Sequence, residues 1–337
     1  MSFNQYTWDL YKQTTIGIEM IKYFSDAGGY VLFKDYCPYA NFIPEDLYND
    51  WLENIYCYGV SDYDHPSSLE EAKDLYISLI TLGIRVEGQQ WLPANDFKNM
   101  LGIIQPMSYV LSQFAPEYFF PYLFLCRIFE LNKIADFFNI DLPNIPKRTD
   151  YKGRCMYYWE LCEVFYLFRK ENGLSPAELW SFLYDFAPNN LPSEKIDMPK
   201  PSQVWFIGGR LYQEDKSLES KFWQSSPETK KGDILVHYET SPISAITCIE
   251  ISLTDGVIDP LFRYYGCIYI GNRINIPHIT LKELQTDEYF FKHPLVRKNF
   301  QGVNGCSVNG EDYSELIRMM ETKGFHIEVL PKLYAPI

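Results

Sequence analysis

Apolar positions recur at helical spacing through roughly the first 190 residues and then contract into short dense runs, a change of period that predicts helices followed by a sheet. Ile43-Pro44-Glu45-Asp46 opens one helix: the proline suits a first turn, the acids face the positive end of the helix dipole, and Gly59 lies past the end. Leu47, Trp51 and Ile55 follow at four-residue steps and are expected to form a core stripe. A second helix starts at Ser68, with Glu71 as its capping-box partner and Leu75, Leu79 and Leu82 beneath. Another starts at Ser175, where Pro176 fits the first turn, Glu178 completes the box, and Leu179, Phe182, Leu183 and Phe186 make the apolar face. Residues 118–124 are too rich in rings for a surface and are expected to make a tight turn entering a buried helix from Arg127 to Phe138. The basic run Lys147 to Arg154, solvated charge or phosphate contact, precedes an amphipathic helix from about Cys155 to Lys170. Residues 1–190 are read as an all-α domain.

Residues 191–202, rich in Pro, Ser and charge, carry no apolar period and read as a linker made semi-rigid by its prolines. Short strands follow from residue 203. Val204 to Ile207 is closed by Gly208-Gly209, and Lys230-Lys231-Gly232-Asp233 turns into the strand Ile234 to Tyr238. Strands at Ala245 to Ile251 and Cys267 to Ile270 come next, and then a helix start at Thr280 with Glu283 placed to reach back to it.

That serial order resembles the EVE domain, a member of the PUA-like group related to the YTH domains. The resemblance covers about 135 residues. It rests on the first strand with its aromatic pair, Trp223 in the following loop, the Gly-Asp strand running to Ser241, the Ala245 strand, the run Ile276 to Leu284, the segment Asp287 to Arg297, and a last helix from Val308 to Met320. It implies an α+β chain in which a PUA-like mixed β-barrel with flanking helices occupies residues 203–337. It also implies recognition of a modified base or nucleotide in nucleic acid, in a setting such as a restriction or defence system.

Composition bears on this in two ways. At 47% apolar and 17% aromatic the chain has ample material for packed cores. The net charge of −14 argues against coating nucleic acid by bulk electrostatics, yet it is unevenly spread. Residues 1–199 hold 15 Lys and Arg against 27 Asp and Glu, whereas residues 200–337 hold 15 against 17, so the second part is free to present a local basic face. Lys230, Lys231, Arg263, Arg273, Lys292, Arg297 and Lys298 are its candidates. The acidic helical part is the candidate surface for a protein partner.

No apolar run approaches the roughly 18 residues that span a bilayer. No secretion signal is read at the N-terminus, and the eight scattered cysteines form no Cys-x-x-Cys pair, so a cytoplasmic chain with reduced cysteines, no metal and no cofactor is expected. No Walker-type loop, Gly-x-Ser-x-Gly or His-x-x-x-His motif is present, and no catalytic residue is assigned.

Holding a base outside its stack needs flat faces and edge-specific hydrogen bonds. Carried over from the resemblance, the candidates are Trp205 or Phe206, Trp223, Tyr238 and Ser241. Trp205 serves either a pocket or the core, and His237 and Tyr238 alternate along one strand, so one of them faces each side. Asn299 and Gln301, beside glycines, either read a base edge or form a tight turn. Lys230, Lys231, Arg210 and Arg297 are the candidate phosphate contacts. An interaction or scaffold subunit without a nucleotide pocket is the alternative.

Overall fold

The computed structural model describes residues 3–37, 40–86, 89–192, 198–210, 221–262, 264, 266–326 and 330. Two compact units emerge: residues 1–193 together with 260–262, and residues 194–259 together with 263–337.

The first unit is mostly helical. Ser175 and Glu178 form the reciprocal capping box ahead of the helix Pro176–Ser181, and Leu179, Phe182, Leu183 and Phe186 are all buried. The amphipathic helix is longer than the periodicity implies, Tyr151–Glu171, because Asp150 caps it by accepting from the Gly153 amide. In the helix Glu45–Cys57 the core stripe is rotated from the expected one. Tyr48 and Ile55 are buried, while Leu47 is 45% exposed.

The unit is not all-α. Gly83 ends the helix Leu69–Leu82 at a positive φ of 76°, where a Cβ would lie 2.0 Å from the Leu92 carbonyl oxygen, and a hairpin follows. Its strands, β1 (Ile84–Val86) and β2 (Gln89–Leu92), pair antiparallel. They are too short to show a period of two.

The ring-rich stretch also departs from expectation. Residues 119–124 run through the core without regular secondary structure instead of making a tight turn, while the buried helix that follows, Ile128–Phe138, is the expected one. Such a path would strand backbone polar groups, and neighbouring side chains satisfy them. Tyr158 and Tyr184 hydroxyls donate to the carbonyls of Phe120 and Pro121, and Ser108 Oγ accepts from the Tyr122 amide. The rings are therefore buried and the chain between them is hydrogen-bonded. Arg154, from the basic run, is turned inward and donates to the carbonyls of Arg148, Pro260 and Phe262 within this unit.

The second unit is a curled six-stranded half-barrel sheet in the order β4-β7-β6-β5-β3-β8. The strands are β3 (Val204–Gly209), β4 (Lys221–Gln224), β5 (Ile234–Glu239), β6 (Ala245–Ser252), β7 (Gly266–Thr280) and β8 (Cys306–Val308). β3 and β5 are parallel and the other neighbours antiparallel. Irregularities between His237 and Tyr238 on β5 and between Ile246 and Cys248 on β6 shift the pairing register; such bulges bend strands and curl a sheet. The mixed α and β character follows directly.

One face of the sheet is covered by helices. Val204, Phe206, Val236, Tyr238, Ile246 and Ile249 pack there with Leu284, Val296, Phe300, Leu316 and Met320. Each such side chain contributes about 1.5–3 kcal/mol by leaving water. The helix Leu281–Thr286 starts at the Thr280–Glu283 capping box. The opposite face holds a smaller cluster, Trp205, Ile207, Leu235, Ile268 and Ile270, with Trp223 packed against it.

The Gly-Asp pair joins these layers. Gly232, at φ 92°, passes so close to Pro199 that a Cβ would meet its carbonyl oxygen at 2.4 Å. Asp233 is fully buried. Its Oδ1 accepts from the Ser202 amide and hydroxyl and the Gln203 amide, and its Oδ2 from Trp205 Nε1 and the Lys230 amide. A buried carboxylate needs such compensation, and here it fixes the entry to β3 beside the start of β5.

Candidate functional site

The candidate base-binding residues divide between the two faces. Trp205 is buried and its indole N–H is held 2.9 Å from Asp233 Oδ2, so it is a core residue whose polar atom is already used. Tyr238 lies on the helix-covered face, 3% exposed and stacked on Phe300 with ring centroids 4.1 Å apart and planes 6° from parallel. Burial raises the pKa of its hydroxyl. Phe206 shares that face.

Ser241 is exposed, precedes a cis proline, and offers its carbonyl to Arg210 Nε at 3.2 Å. Asn299 is exposed in a left-handed turn with Phe300, and its Oδ1 accepts from Gln285 Nε2. Asn299 thus lies in a tight turn, exposed at the surface.

Trp223 and His237 do come together. Trp223, half-buried on β4, meets the His237 ring edge-on with centroids 4.8 Å apart. Its indole also lies against Gly209, where a Cβ would approach within 2.5 Å of the ring. Gly209, at the end of β3, is therefore the seat of the tryptophan.

Beneath the indole runs a buried polar relay. His237 is 0% exposed and its Nδ1 sits 2.9 Å from Glu250 Oε2. The ionised carboxylate only accepts, so Nδ1 carries the hydrogen. Arg273 Nε and Nη2 donate to Glu250 Oε1 at 2.9 and 2.6 Å. Burial alone would raise the Glu250 pKa, but the hydrogen bond and charge of His237 and those of Arg273 outweigh it and hold the carboxyl below its ordinary value. Burial works against the Arg273 charge and Glu250 overrides it, so that pKa is raised. Cys248 lies on the same face, its thiol pushed up to about 12 chiefly by burial.

Sequence reasoning missed Glu250 and Cys248, and it listed Arg273 only as a surface charge. The available signal was one acid in the apolar strand Ala245–Ser252, every residue of which is buried. An acid there requires a partner. Its partner comes from β7, whose length the apolar run Cys267 to Ile270 understates.

The candidate phosphate contacts are dispersed. Lys230 is exposed and 3.8 Å from Asp255, whose Oδ1 also accepts the Lys231 amide. Arg210 is exposed beside Ser241, and Arg297 is exposed at the end of the helix Pro294–Arg297. Lys292 lies over the Phe291 ring. Arg263 falls outside the described residues.

No helix among the described residues is long and apolar enough to cross a membrane. No family model matches the chain, and no protein of curated function shows significant similarity to it. Among solved structures it is similar to the NMR structure of Rpa0253 from Rhodopseudomonas palustris, at 13% identity and a TM-score of 0.31, over 36% of this chain and 94% of that one.

Proposed function

We propose that the second unit is an EVE-like, PUA-like module that recognises a modified base or nucleotide in nucleic acid, with Trp223 as its stacking platform. The observation that carries this reading is the half-buried indole seated on Gly209 above the His237–Glu250–Arg273 relay. A flat apolar face beside buried hydrogen-bonding groups and one partly exposed cation is the combination a flipped base needs. Stacking on such a face is worth about 1–3 kcal/mol per base. In this reading the site comprises Trp223, His237 and Arg273, with Trp205 packed on the same face and Tyr238 on the opposite one. In this reading the helical unit localises or relays the recognition within a restriction or defence system.

The test is binding of the full chain to matched oligonucleotides, with and without methylated or hydroxymethylated bases, at two salt concentrations. Selective binding that Trp223→Ala abolishes supports the reading. Equal binding to every oligonucleotide, or none, overturns it. A second reading, an interaction or scaffold subunit, draws on the exposed apolar side chains of the first two helices, Tyr6, Leu10, Ile16 and Ile18. It becomes the better account if the folded chain binds no nucleic acid.

A further inference from the structure

The alternation that buries Glu250 also brings His237 and Cys248 beside it. His237 faces Cys248 across the β5–β6 pair, and Glu250 follows two residues along on the same face. One donor atom from each of the three side chains lies within 4.8 Å of the others, and all three residues are buried. The ring nitrogen that faces Glu250 is Nδ1, 2.9 Å from its Oε2, and it is the nitrogen that this cluster offers. Burying three such polar groups together is costly unless they are engaged.

We propose that His237, Cys248 and Glu250 form a binding site for one divalent transition metal ion, zinc being the ion that a nitrogen, sulfur and oxygen donor set fits best. With metal–ligand bonds of about 2.0–2.3 Å, tetrahedral donors stand roughly 3.3–3.8 Å apart, so a pair 4.8 Å apart would close by about 1–1.5 Å while His237 Nδ1 and Glu250 Oε2, at 2.9 Å, would open slightly. Binding replaces the Cys248 thiol proton by the ion, and the His237 hydrogen passes from Nδ1 to Nε2 so that Nδ1 can bind. The thiol proton leaves to solvent, a thiolate–metal bond forms, and no group is oxidised or reduced. The thiolate and the Glu250 carboxylate then balance the two charges of the ion.

Arg273 completes the arrangement from outside. It grips the other oxygen of Glu250, and its side chain is 33% exposed, which leaves its own charge to the solvent side. Outer partners of this kind orient a ligating carboxylate. Arg273 is in this sense a positioning residue. Three protein donors leave a fourth position open. The inference does not depend on nucleic-acid binding, because the three donors are buried whatever Trp223 contacts.

The test is cobalt titration of the full chain, stripped with chelator and kept reduced. Wild type is expected to take up one cobalt per chain and to develop a thiolate-to-cobalt charge-transfer band. Cys248→Ser is expected to lose that band with its far-ultraviolet circular dichroism intact, while Cys306→Ser, on β8, keeps it. Arg273→Gln is expected to keep the band and weaken affinity by about 10–100-fold. A wild-type chain that gives no such band, or a Cys248→Ser chain that retains it, overturns the proposal. Should Cys248→Ser not fold, X-ray absorption of the zinc-loaded wild type decides. One sulfur among nitrogen and oxygen neighbours is the expected shell, and a shell without sulfur or with two or more overturns it.

Discussion

On one face of the six-stranded sheet, Val204, Phe206, Val236, Ile246 and Ile249 meet helices, and the polar pair near them, His293 with Asp312, belongs to the helical cover and not to the strands. On the other, the same strands carry Trp205, Leu235 and Ile207 together with His237, Cys248 and Glu250, and the cover is the half-buried Trp223. Alternate residues of one strand thus meet opposite demands. The helix-covered face gains stability from every buried methylene, whereas the other gives some of it up to desolvate a carboxylate and an imidazole. A fold that retains such groups where apolar residues would pack has a use for them, and that contrast is the reason to place the site on the Trp223 face.

The contrast predicts a graded series. The largest effect falls on the apolar face. Phe206, 1% exposed and edge-on to Phe300, is expected to cost about 3–5 kcal/mol when replaced by Ala, read as a lower denaturant midpoint. Glu250→Gln removes the charge that Arg273 and His237 share and is expected to cost roughly 1–3 kcal/mol, since Arg273 can turn to water. A loss equal to that of Phe206→Ala would mean that the polar face is as structural as the apolar one. Trp223→Ala is expected to cost only about 1 kcal/mol while removing base-selective binding, because the indole is half-buried. Comparable stability with binding retained would break the assignment of the site.

The smallest effect is at the capping box of the helix Leu281–Thr286. A hydrogen bond from Lys323 and those of the Thr280 amide and hydroxyl outweigh burial and hold the Glu283 carboxyl at about 2, below its ordinary 4.5. A depressed folded pKa means stability that is present above pH 4.5 and is lost as pH falls toward 2. Because the side chain is 41% exposed, solvent screening keeps the effect within about 1 kcal/mol. Thermal midpoints of wild type and Glu283→Gln are expected to differ at pH 6 and to converge by pH 2.

Much of this architecture is legible in the sequence. Ser175 with Glu178 and Thr280 with Glu283 announce their helix starts because both halves of the box are local. The Gly232-Asp233 pair announces its turn for the same reason, although the five donors that Asp233 collects come partly from 30 residues upstream. The opposite facing of His237 and Tyr238 is legible from strand period alone.

What stays hidden is non-local. The bulge between Ile246 and Cys248 resets which residues of β6 face the helices, so counting by two along the strand misassigns a face. Glu250 and Arg273 are 23 residues apart and meet only after β6 and β7 pair. The hairpin of β1 and β2 is too short to show a period. Leu47 illustrates the converse: four-residue steps define a stripe but not which neighbouring stripe faces inward, and Tyr48 took the place expected of it.

The most direct measurement follows the indole N–H signals of the full chain by nuclear magnetic resonance while a modified-base oligonucleotide is added. Trp223 and Trp205 pack on the same face of the sheet, but Trp205 has its N–H held by buried Asp233. The account predicts that the Trp223 signal shifts in step with binding while the Trp205 signal stays in place. Binding that leaves Trp223 unmoved, or that shifts the Trp205 signal instead, would contradict it.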